Sequence, residues 1–417
     1  MASAETGESR LPCPLFHSGL RLAPGTGNSR QGDLHGTESR GARAHSVLHR
    51  HGRAAGGQRE DGGRRACPAP GGRPARHAGT GGGAQGSAHR ARLLRLGYTD
   101  SLGIPRLRKR IARHYMETYG TEVDPDRIAV TAGSSAGFLL SFLAAFEPGD
   151  RVALAAPGYP AYRNILKALG LEAVLLPAGP EERFQPTPEL IEQAGKLDGL
   201  ILASPSNPTG TMVDKDTLGR IVDCCRERGI RLVSDEIYHG IEFTRRAVSA
   251  SELDAEAIIV NSFSKYYSMT GWRLGWLVLP PELVRPIECL AQNLFISPMA
   301  LSQEAGVAAF DAGKELDGIV QVYAQNRAHL LEHLPAAGFP DLAPADGAFY
   351  IYAYSGHLGD DSQALCKRML DEINVAATPG TDFDPERGHH YIRFSFAGAT
   401  EEIVEACERL KGWTATS

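Results

Sequence analysis

A lysine closes the sequence Ser-Phe-Ser-Lys at positions 262–265, in which two serines precede it within three residues. Ser262 and Ser264 precede Lys265, and Arg273 follows it eight positions later. A lysine that forms a Schiff base needs a confined site with neighbours that tune its pKa, and a bound phosphate needs a guanidinium and hydroxyl groups. This segment supplies both kinds of group. A solvated surface lysine is the alternative, and the segment taken alone does not separate the two.

Two further polar residues follow apolar runs that predict buried strands. Asp235 comes after the run 231–234 and precedes Tyr238, while Asn207 comes after the run 199–203, among two prolines and a glycine. The carboxyl ends of such strands are where α/β folds bind ligands. The competing interpretations are a helix cap or charged strand end for Asp235 and an ordinary turn for Asn207.

A turn of small residues lies between a predicted strand at 127–131 and an apolar helix at 138–146, and it contains Ser134 and Ser135. The first turn of a helix has free N–H groups and the positive end of the helix dipole, which suits a phosphate. Such turns are common, so this motif is weak when taken alone.

Taken in this order, the segments resemble the pyridoxal-phosphate-dependent aminotransferases of fold type I, class I/II. The resemblance extends from about Leu96 to Leu410. Besides the lysine segment and the small-residue turn, it rests on Leu96-Gly-Tyr-Thr-Asp, Gly103-Ile-Pro, Pro157-Gly-Tyr-Pro, Asn207-Pro-Thr-Gly, Asp235-Glu-Ile-Tyr and Tyr391-Ile-Arg-Phe. It implies an enzyme that transfers an amino group from an amino acid to a 2-oxo acid through a Schiff base with pyridoxal 5'-phosphate.

The resemblance assigns roles around the cofactor ring. Lys265 would form the Schiff base and, once displaced, carry a proton to and from the substrate Cα. Asp235 would pair with the pyridine nitrogen, which makes the ring an electron sink. Asn207 and Tyr238 would hydrogen-bond the phenolic oxygen of the ring. Tyr159 would stack on the ring face, with a core tyrosine after a Pro-Gly turn as the alternative.

The same resemblance assigns the remaining contacts. Arg393 would hold the substrate α-carboxylate as a bidentate fork beside Asn207. Tyr98 would reach the phosphate of a neighbouring subunit, so the site would be complete only in a homodimer. The family also implies a cis bond between Asn207 and Pro208. The phosphate itself would be held by Ser134, Ser135, Ser262 and Arg273.

Alternating strand and helix patterns predict an α/β fold with a mainly parallel, seven-stranded sheet sandwiched by helices. Residues 96–320 would form the large cofactor-binding domain and residues 321–417 a smaller C-terminal α/β domain with strands within 347–352 and 391–396. Strands of the large sheet are predicted at 127–131, 151–155, 172–176, 199–203, 230–234, 257–261 and 274–279. Helices are predicted at 104–119, 135–146, 160–169, 187–195, 214–228 and 302–333.

The composition gives no indication of a nucleic-acid or membrane partner, since the net charge is −5 over 417 residues. The seven cysteines show no C-x-x-C or framework spacing, which predicts reduced thiols, a cytoplasmic location and no metal site. No apolar run approaches the roughly 20 residues of a membrane span. The amino terminus lacks the apolar segment of a signal peptide.

The first 95 residues differ in composition from the rest. They contain fifteen arginines, six acidic residues and no lysine, isoleucine, tyrosine or tryptophan. Such a segment buries too little apolar surface to fold alone. We interpret it as the wrong-frame translation of a GC-rich gene, because no amino-terminal arm of the family is recognisable before Leu96. A genuine extension and a basic nucleic-acid-binding tail are the alternatives, and reading the coding DNA in its other frames would separate them.

Three functions fit these motifs. The first is an amino acid aminotransferase, the second a lyase or elimination on the same cofactor, and the third an inactive or regulatory protein of the same fold. The shared lysine, aspartate and arginine do not separate them. No arginine can be assigned to a second substrate carboxylate, and the apolar stretch 292–303 favours neutral or aromatic amino acids.

Overall fold

A seven-stranded sheet lies at the centre of the structure, a computed structural model that describes residues 97–413. The expectations for residues 1–95 lie outside the described residues. The strand order is β1-β7-β6-β5-β4-β2-β3, and β7 runs antiparallel to both of its neighbours while the other pairs are parallel. The strands are β1 Ile128–Thr131, β2 Arg151–Ala156, β3 Glu172–Pro177, β4 Gly199–Ala203, β5 Arg231–Asp235, β6 Ile258–Ser262 and β7 Gly275–Val278.

Helices cover both faces of this sheet. The buried side chains of the strands accordingly divide between two apolar clusters. The predicted α/β architecture is therefore confirmed, and every strand overlaps its predicted range. The helices are α1 Pro105–Tyr119, α2 Gly133–Ala145, α3 Pro160–Ala168, α4 Pro188–Gln193, α5 Lys215–Arg228, α6 Pro281–Leu294, α7 Ala300–Ala309, α8 Gly313–His333, α9 Ser362–Ile373 and α10 Thr400–Lys411.

One predicted helix needs correction, and one helix was not predicted. The pattern at 302–333 is two helices, since the chain turns at Phe310, whose ring packs 5.1 Å from that of Tyr267, and α8 begins at Gly313. Helix α6 was not predicted. It begins at Pro281 and contains Pro286, and prolines at this spacing indicate a turn when no tertiary context is known.

A second sheet of three antiparallel strands follows, in the order β8-β10-β9. Its side chains pack with α8, α9 and α10 around a separate apolar cluster. The domain boundary at residue 320 stays a prediction, and α8 runs through it. No helix within residues 97–413 is long and apolar enough to cross a membrane. The strands are β8 Tyr350–Tyr354, β9 Thr378–Pro379 and β10 Tyr391–Ser395.

The turn between β1 and α2 packs closely against β7. Gly133 has φ +77°, a conformation that side chains disfavour, and a Cβ at this position would lie 2.5 Å from Nη2 of Arg273. Gly275 begins β7 directly beneath the same turn. The two glycines thus let the amino end of α2 approach the Arg273 guanidinium.

We expect Gly275→Ala to lower the free energy of unfolding by about 1–3 kcal/mol. The added Cβ would lie 2.8 Å from the carbonyl oxygen of Asn261 and 2.9 Å from backbone atoms of Gly133 and Ser134. Urea unfolding measures the effect. Gly271→Ala is the control, because a Cβ there meets nothing within 4 Å. Equal stabilities of the two variants would contradict this packing.

Candidate active site

A cavity of about 650 Å³ opens at the carboxyl ends of the parallel strands. Side chains that lie far apart in the sequence meet in its wall, including most of those that the motifs singled out. Asp235, Ser262 and Tyr98 are not among the lining residues, and each is described below. The sequence-predicted residues that line the cavity are Ser134, Ser135, Tyr159, Asn207, Tyr238, Lys265, Arg273 and Arg393.

The Lys265 amine is held between aromatic rings. Its Nζ lies 5.4 Å from the ring centroid of Tyr238 and 5.5 Å from that of Phe349. None of the ion pairs formed by described residues involves this amine. A half-buried amine with no carboxylate bonded to it is free to react with a carbonyl group.

Asp235 lies behind the cavity wall at the end of β5 and is 2% exposed. Its carboxylate accepts hydrogen bonds from the backbone N–H of Ile237, at 3.1 Å, and from the hydroxyl of Tyr162. Burial raises the pKa of Asp235 to about 6, although these hydrogen bonds and the charge of Lys265 act in the opposite direction. A cation placed beside this carboxylate would restore its ionised form.

Aromatic and amide groups also line the cavity. Tyr159 is 38% exposed, and its ring meets that of Tyr162 edge-on at 5.5 Å, which leaves ring surface open to the cavity. The hydroxyl of Tyr238 lies 3.0 Å from that of Tyr350. The predicted cis bond between Asn207 and Pro208 is present.

The opposite end of the cavity suits a phosphate. Ser134 and Ser135 lie in the first turn of α2, where N–H groups are free. The Arg273 guanidinium lies against Gly133, the first residue of this turn. Its Nη1 donates to the carbonyl of Thr270 at 3.1 Å. Hydroxyls, helix amides and a guanidinium together form a cradle for a dianion.

One predicted serine of this cradle, Ser262, does not line the cavity. Ser262 is 1% exposed, and its hydroxyl donates to the carbonyl of Leu274 and lies 3.0 Å from that of Ser264. Ser264 lines the cavity. The assignment of Ser262 to the phosphate stays a prediction.

Arg393 lies in β10 at the end of the cavity nearest the second sheet. Its Nη1 donates to Oδ1 of Asn207 at 2.7 Å, and its Nη2 donates to the hydroxyl of Thr378 at 3.1 Å. The guanidinium carbon is 4.3 Å from the ring centroid of Tyr350 and 4.7 Å from that of Phe383. Its buried Nε has no hydrogen-bond partner among residues 97–413. An oriented fork with an unused donor is suited to a carboxylate.

Sequence reasoning missed Tyr162, Ser264 and Tyr350 among the polar residues that line the cavity, and it missed Thr378 and Phe383, which contact Arg393. Ser264 stood within the lysine segment, and Tyr350 stood within a predicted strand, so both could be found only after the fold fixed their directions. Tyr98 is 83% exposed and does not line the cavity of its own chain. The described residues contain no cluster of ligands suited to a metal ion.

The pH dependence of stability should reveal the burial of Asp235. The folded protein binds this proton more tightly than the unfolded chain, whose aspartates titrate near about 3.9, so the free energy of unfolding falls as pH rises from about 4 to about 6. We expect ligand-free Asp235→Asn to gain stability over the wild type, by about 1 kcal/mol more at pH 8 than at pH 5 in urea unfolding.

Asp198→Asn is the control for this experiment. The backbone N–H of Arg151 holds the pKa of Asp198 below its usual range, so this carboxylate is ionised throughout that pH window. Its difference from the wild type should not change between pH 5 and pH 8. The same constancy for Asp235→Asn would contradict the raised pKa.

Comparison with known proteins identifies the family. The profile of the family described as aminotransferase class I and II matches residues 85–410, and so begins upstream of Leu96. The valine–pyruvate aminotransferase of Mycobacterium tuberculosis is 48% identical over 326 residues, which cover 77% of this chain and 84% of that protein. The (5-formylfuran-3-yl)methyl phosphate transaminase of Methanocaldococcus jannaschii is 35% identical over 321 residues, covering 75% and 82%.

Solved structures agree with these relatives. An aminotransferase from Mycobacterium tuberculosis superposes with a TM-score of 0.80 at 46% identity, covering 81% of this chain and 89% of that one. A putative aminotransferase from Silicibacter pomeroyi superposes with a TM-score of 0.79 at 44% identity, covering 90% and 98%. The chain is therefore a member of the class I and II aminotransferases, enzymes that use pyridoxal phosphate to transfer an amino group.

Proposed function

We propose that this enzyme transfers the amino group between a neutral aliphatic amino acid, with valine as the first candidate, and pyruvate. The observation that carries the proposal is the set of cationic side chains in the cavity, which among the described residues are Lys265, Arg273 and Arg393. We assign Lys265 to the cofactor aldehyde, Arg273 to the cofactor phosphate and Arg393 to the substrate α-carboxylate. Among the described residues of the cavity, no cation is then left for a carboxylate in the substrate side chain. The name of the Mycobacterium tuberculosis relative, at 48% identity, supports the same substrates.

We propose these roles for the side chains. Bound pyridoxal phosphate supplies an aldehyde that condenses with amines and a ring that accepts an electron pair. Asp235 stays ionised against a protonated ring nitrogen, which offsets its burial. Lys265 moves the proton at the substrate Cα, Asn207 and Tyr238 donate to the ring oxygen, and Tyr159 packs on the ring face. The phosphate is held by Ser134, Ser135, Ser262, Ser264 and Arg273.

The substrate carboxylate is assigned to Arg393. Its guanidinium is fixed by Asn207 and Thr378 before the substrate arrives, so little side-chain entropy is lost on binding. A hydrogen-bonded carboxylate at this position would place the substrate Cα on the Lys265 side of the cavity. This arrangement supports transamination, and no observation favours the lyase or the regulatory alternative over it.

We propose further that the enzyme is a homodimer in the cytoplasm. An exposed apolar surface surrounds Tyr98, and the N–H of Thr99 donates to the hydroxyl of Ser297 at 3.3 Å, which joins the Tyr98 segment to the loop after α6. A second copy covering this surface would remove it from water. The described cysteines are free thiols, which suits a reducing compartment. The surface consists of Tyr98, Leu294, Phe295, Ile296 and Met299.

Incubation with valine and pyruvate tests the function directly. We expect alanine and 3-methyl-2-oxobutanoate to form by ping-pong kinetics, with kcat/KM at least about tenfold above that for aspartate and 2-oxoglutarate. Lys265→Ala should abolish the reaction, while Lys167→Ala, which changes an exposed lysine on α3, should not. Release of ammonia from valine without formation of alanine would instead identify a lyase.

Disruption of the apolar surface tests the dimer. We expect light scattering to give twice the chain mass for the wild type and the single chain mass for Leu294→Asp, because a charge cannot be buried there without a partner. Leu370→Asp is the matched control, since Leu370 is 48% exposed, close to the 51% of Leu294, and lies on α9. A dimer that survives Leu294→Asp would contradict this assignment.

A further inference from the structure

Tyr350 contacts two groups to which the proposed function gives separate roles. Its hydroxyl oxygen lies 3.0 Å from that of Tyr238, on the cofactor side of the cavity. Its ring centroid lies 4.3 Å from Cζ of Arg393, on the substrate-carboxylate side. Tyr350 is 7% exposed, so both contacts are largely shielded from water. One side chain therefore joins the two ends of the site.

The register of the second sheet explains this position. In the antiparallel pair β8–β10, Arg393 stands opposite Tyr352, and Tyr350 lies two residues before Tyr352. Side chains at such diagonal positions lie on the same face of the sheet and are within reach of each other when they are long or aromatic. The contact between Tyr350 and Arg393 thus follows from strand pairing.

We propose that Tyr350 is a positioning residue that acts on the cofactor through its hydroxyl and on the substrate through its ring. The proposal rests on the proposed role of Tyr238 as hydrogen-bond donor to the cofactor's ring oxygen. An anionic ring oxygen only accepts, so Tyr238 must give it its single proton. The Tyr238 oxygen is then left to accept the proton of Tyr350.

Two hydrogen bonds in series polarise each other, so Tyr350 makes Tyr238 the stronger donor. A stronger donor stabilises the anionic ring oxygen and so makes it a weaker acceptor. That oxygen then holds less tightly the proton on the nitrogen through which Lys265 would be joined to the cofactor. Tyr350 therefore lowers the pH at which this proton leaves, and this pH is visible as a change in cofactor absorbance.

The ring of Tyr350 acts on Arg393 by a separate route. Hydrogen bonds to Asn207 and Thr378 fix two nitrogens of the guanidinium, and the rings of Tyr350 and Phe383 restrict its plane. A guanidinium that stacks on aromatic faces is held in one orientation. Loss of the ring removes this restriction and leaves the two hydrogen bonds.

Tyr350→Phe and Tyr350→Leu separate the two effects in the holoenzyme. The first removes only the hydroxyl and should raise the pH midpoint of the absorbance change by about 0.5 unit. It should leave the affinity for 3-methylbutanoate, a carboxylate without an amino group, within about twofold of the wild type. Tyr350→Leu should raise the midpoint equally and weaken 3-methylbutanoate binding about five- to tenfold in calorimetry. Tyr350→Met, whose flexible side chain adapts better to the vacated space, replaces it if the leucine variant does not fold.

Tyr352→Phe is the matched control. Tyr352 lies in the same strand and is 1% exposed, and no described residue forms a hydrogen bond with its hydroxyl, so neither quantity should change. An unaltered midpoint in Tyr350→Phe would overturn the hydroxyl role, and unaltered 3-methylbutanoate affinity in the folded leucine or methionine variant would overturn the ring role.

Tyr238→Phe distinguishes failure of this proposal from failure of the proposed site. It should raise the midpoint by itself, and adding Tyr350→Phe should then have no further effect, because the chain of hydrogen bonds is already broken. If Tyr238→Phe leaves the midpoint unchanged, the assignment of Tyr238 to the cofactor is wrong. If Tyr238→Phe raises the midpoint and Tyr350→Phe does not, only the role of Tyr350 is wrong.

Discussion

The carboxylate of Asp235 is held out of water at the end of β5, and the arrangement of the site depends on this burial. An ionised carboxylate in such a place is costly unless a cation stands beside it. The hydroxyl of Tyr162 and the N–H of Ile237 satisfy part of its hydrogen-bonding capacity, but neither carries a charge. In the proposed site a protonated pyridine nitrogen would supply that charge, so cofactor binding would offset a cost that folding alone leaves in place.

The same burial fixes where the other groups must stand. A cofactor held as proposed would meet Asp235 with its ring nitrogen and the amino end of α2 with its phosphate. Lys265, which would react with it, lies on the loop after β6. The glycines at 133 and 275 allow the phosphate end to approach the backbone. The positions of the strand ends in the sheet therefore determine the distances between these groups.

The sequence predicted the large sheet because apolar runs ending in Asp235 or before Asn207 mark strand ends without any knowledge of their neighbours. It predicted half of the sixteen residues that line the cavity, and their roles came from the resemblance of the motifs to a known family. Whether Ser262 or Ser264 lines the cavity depends on how the end of β6 packs, which is not a local property. The contacts of Tyr162, Tyr350 and Phe383 arise only when separate elements approach one another. The break near Phe310 also involves packing between separate elements, since its partly buried ring contacts those of Phe263 and Tyr267.

The hydrogen bond between Arg393 and Asn207 joins the two sheets, since Arg393 belongs to β10 and Asn207 to the loop after β4. A substrate carboxylate on this guanidinium shares its donors with that link. In the proposed site, substrate binding and the hydrogen bond between the sheets are therefore thermodynamically linked. Binding changes the free energy of that hydrogen bond by as much as the hydrogen bond changes the free energy of binding. Amide hydrogen exchange in β10 and in the Asn207 loop thus reports on substrate binding, although neither backbone needs to touch the substrate.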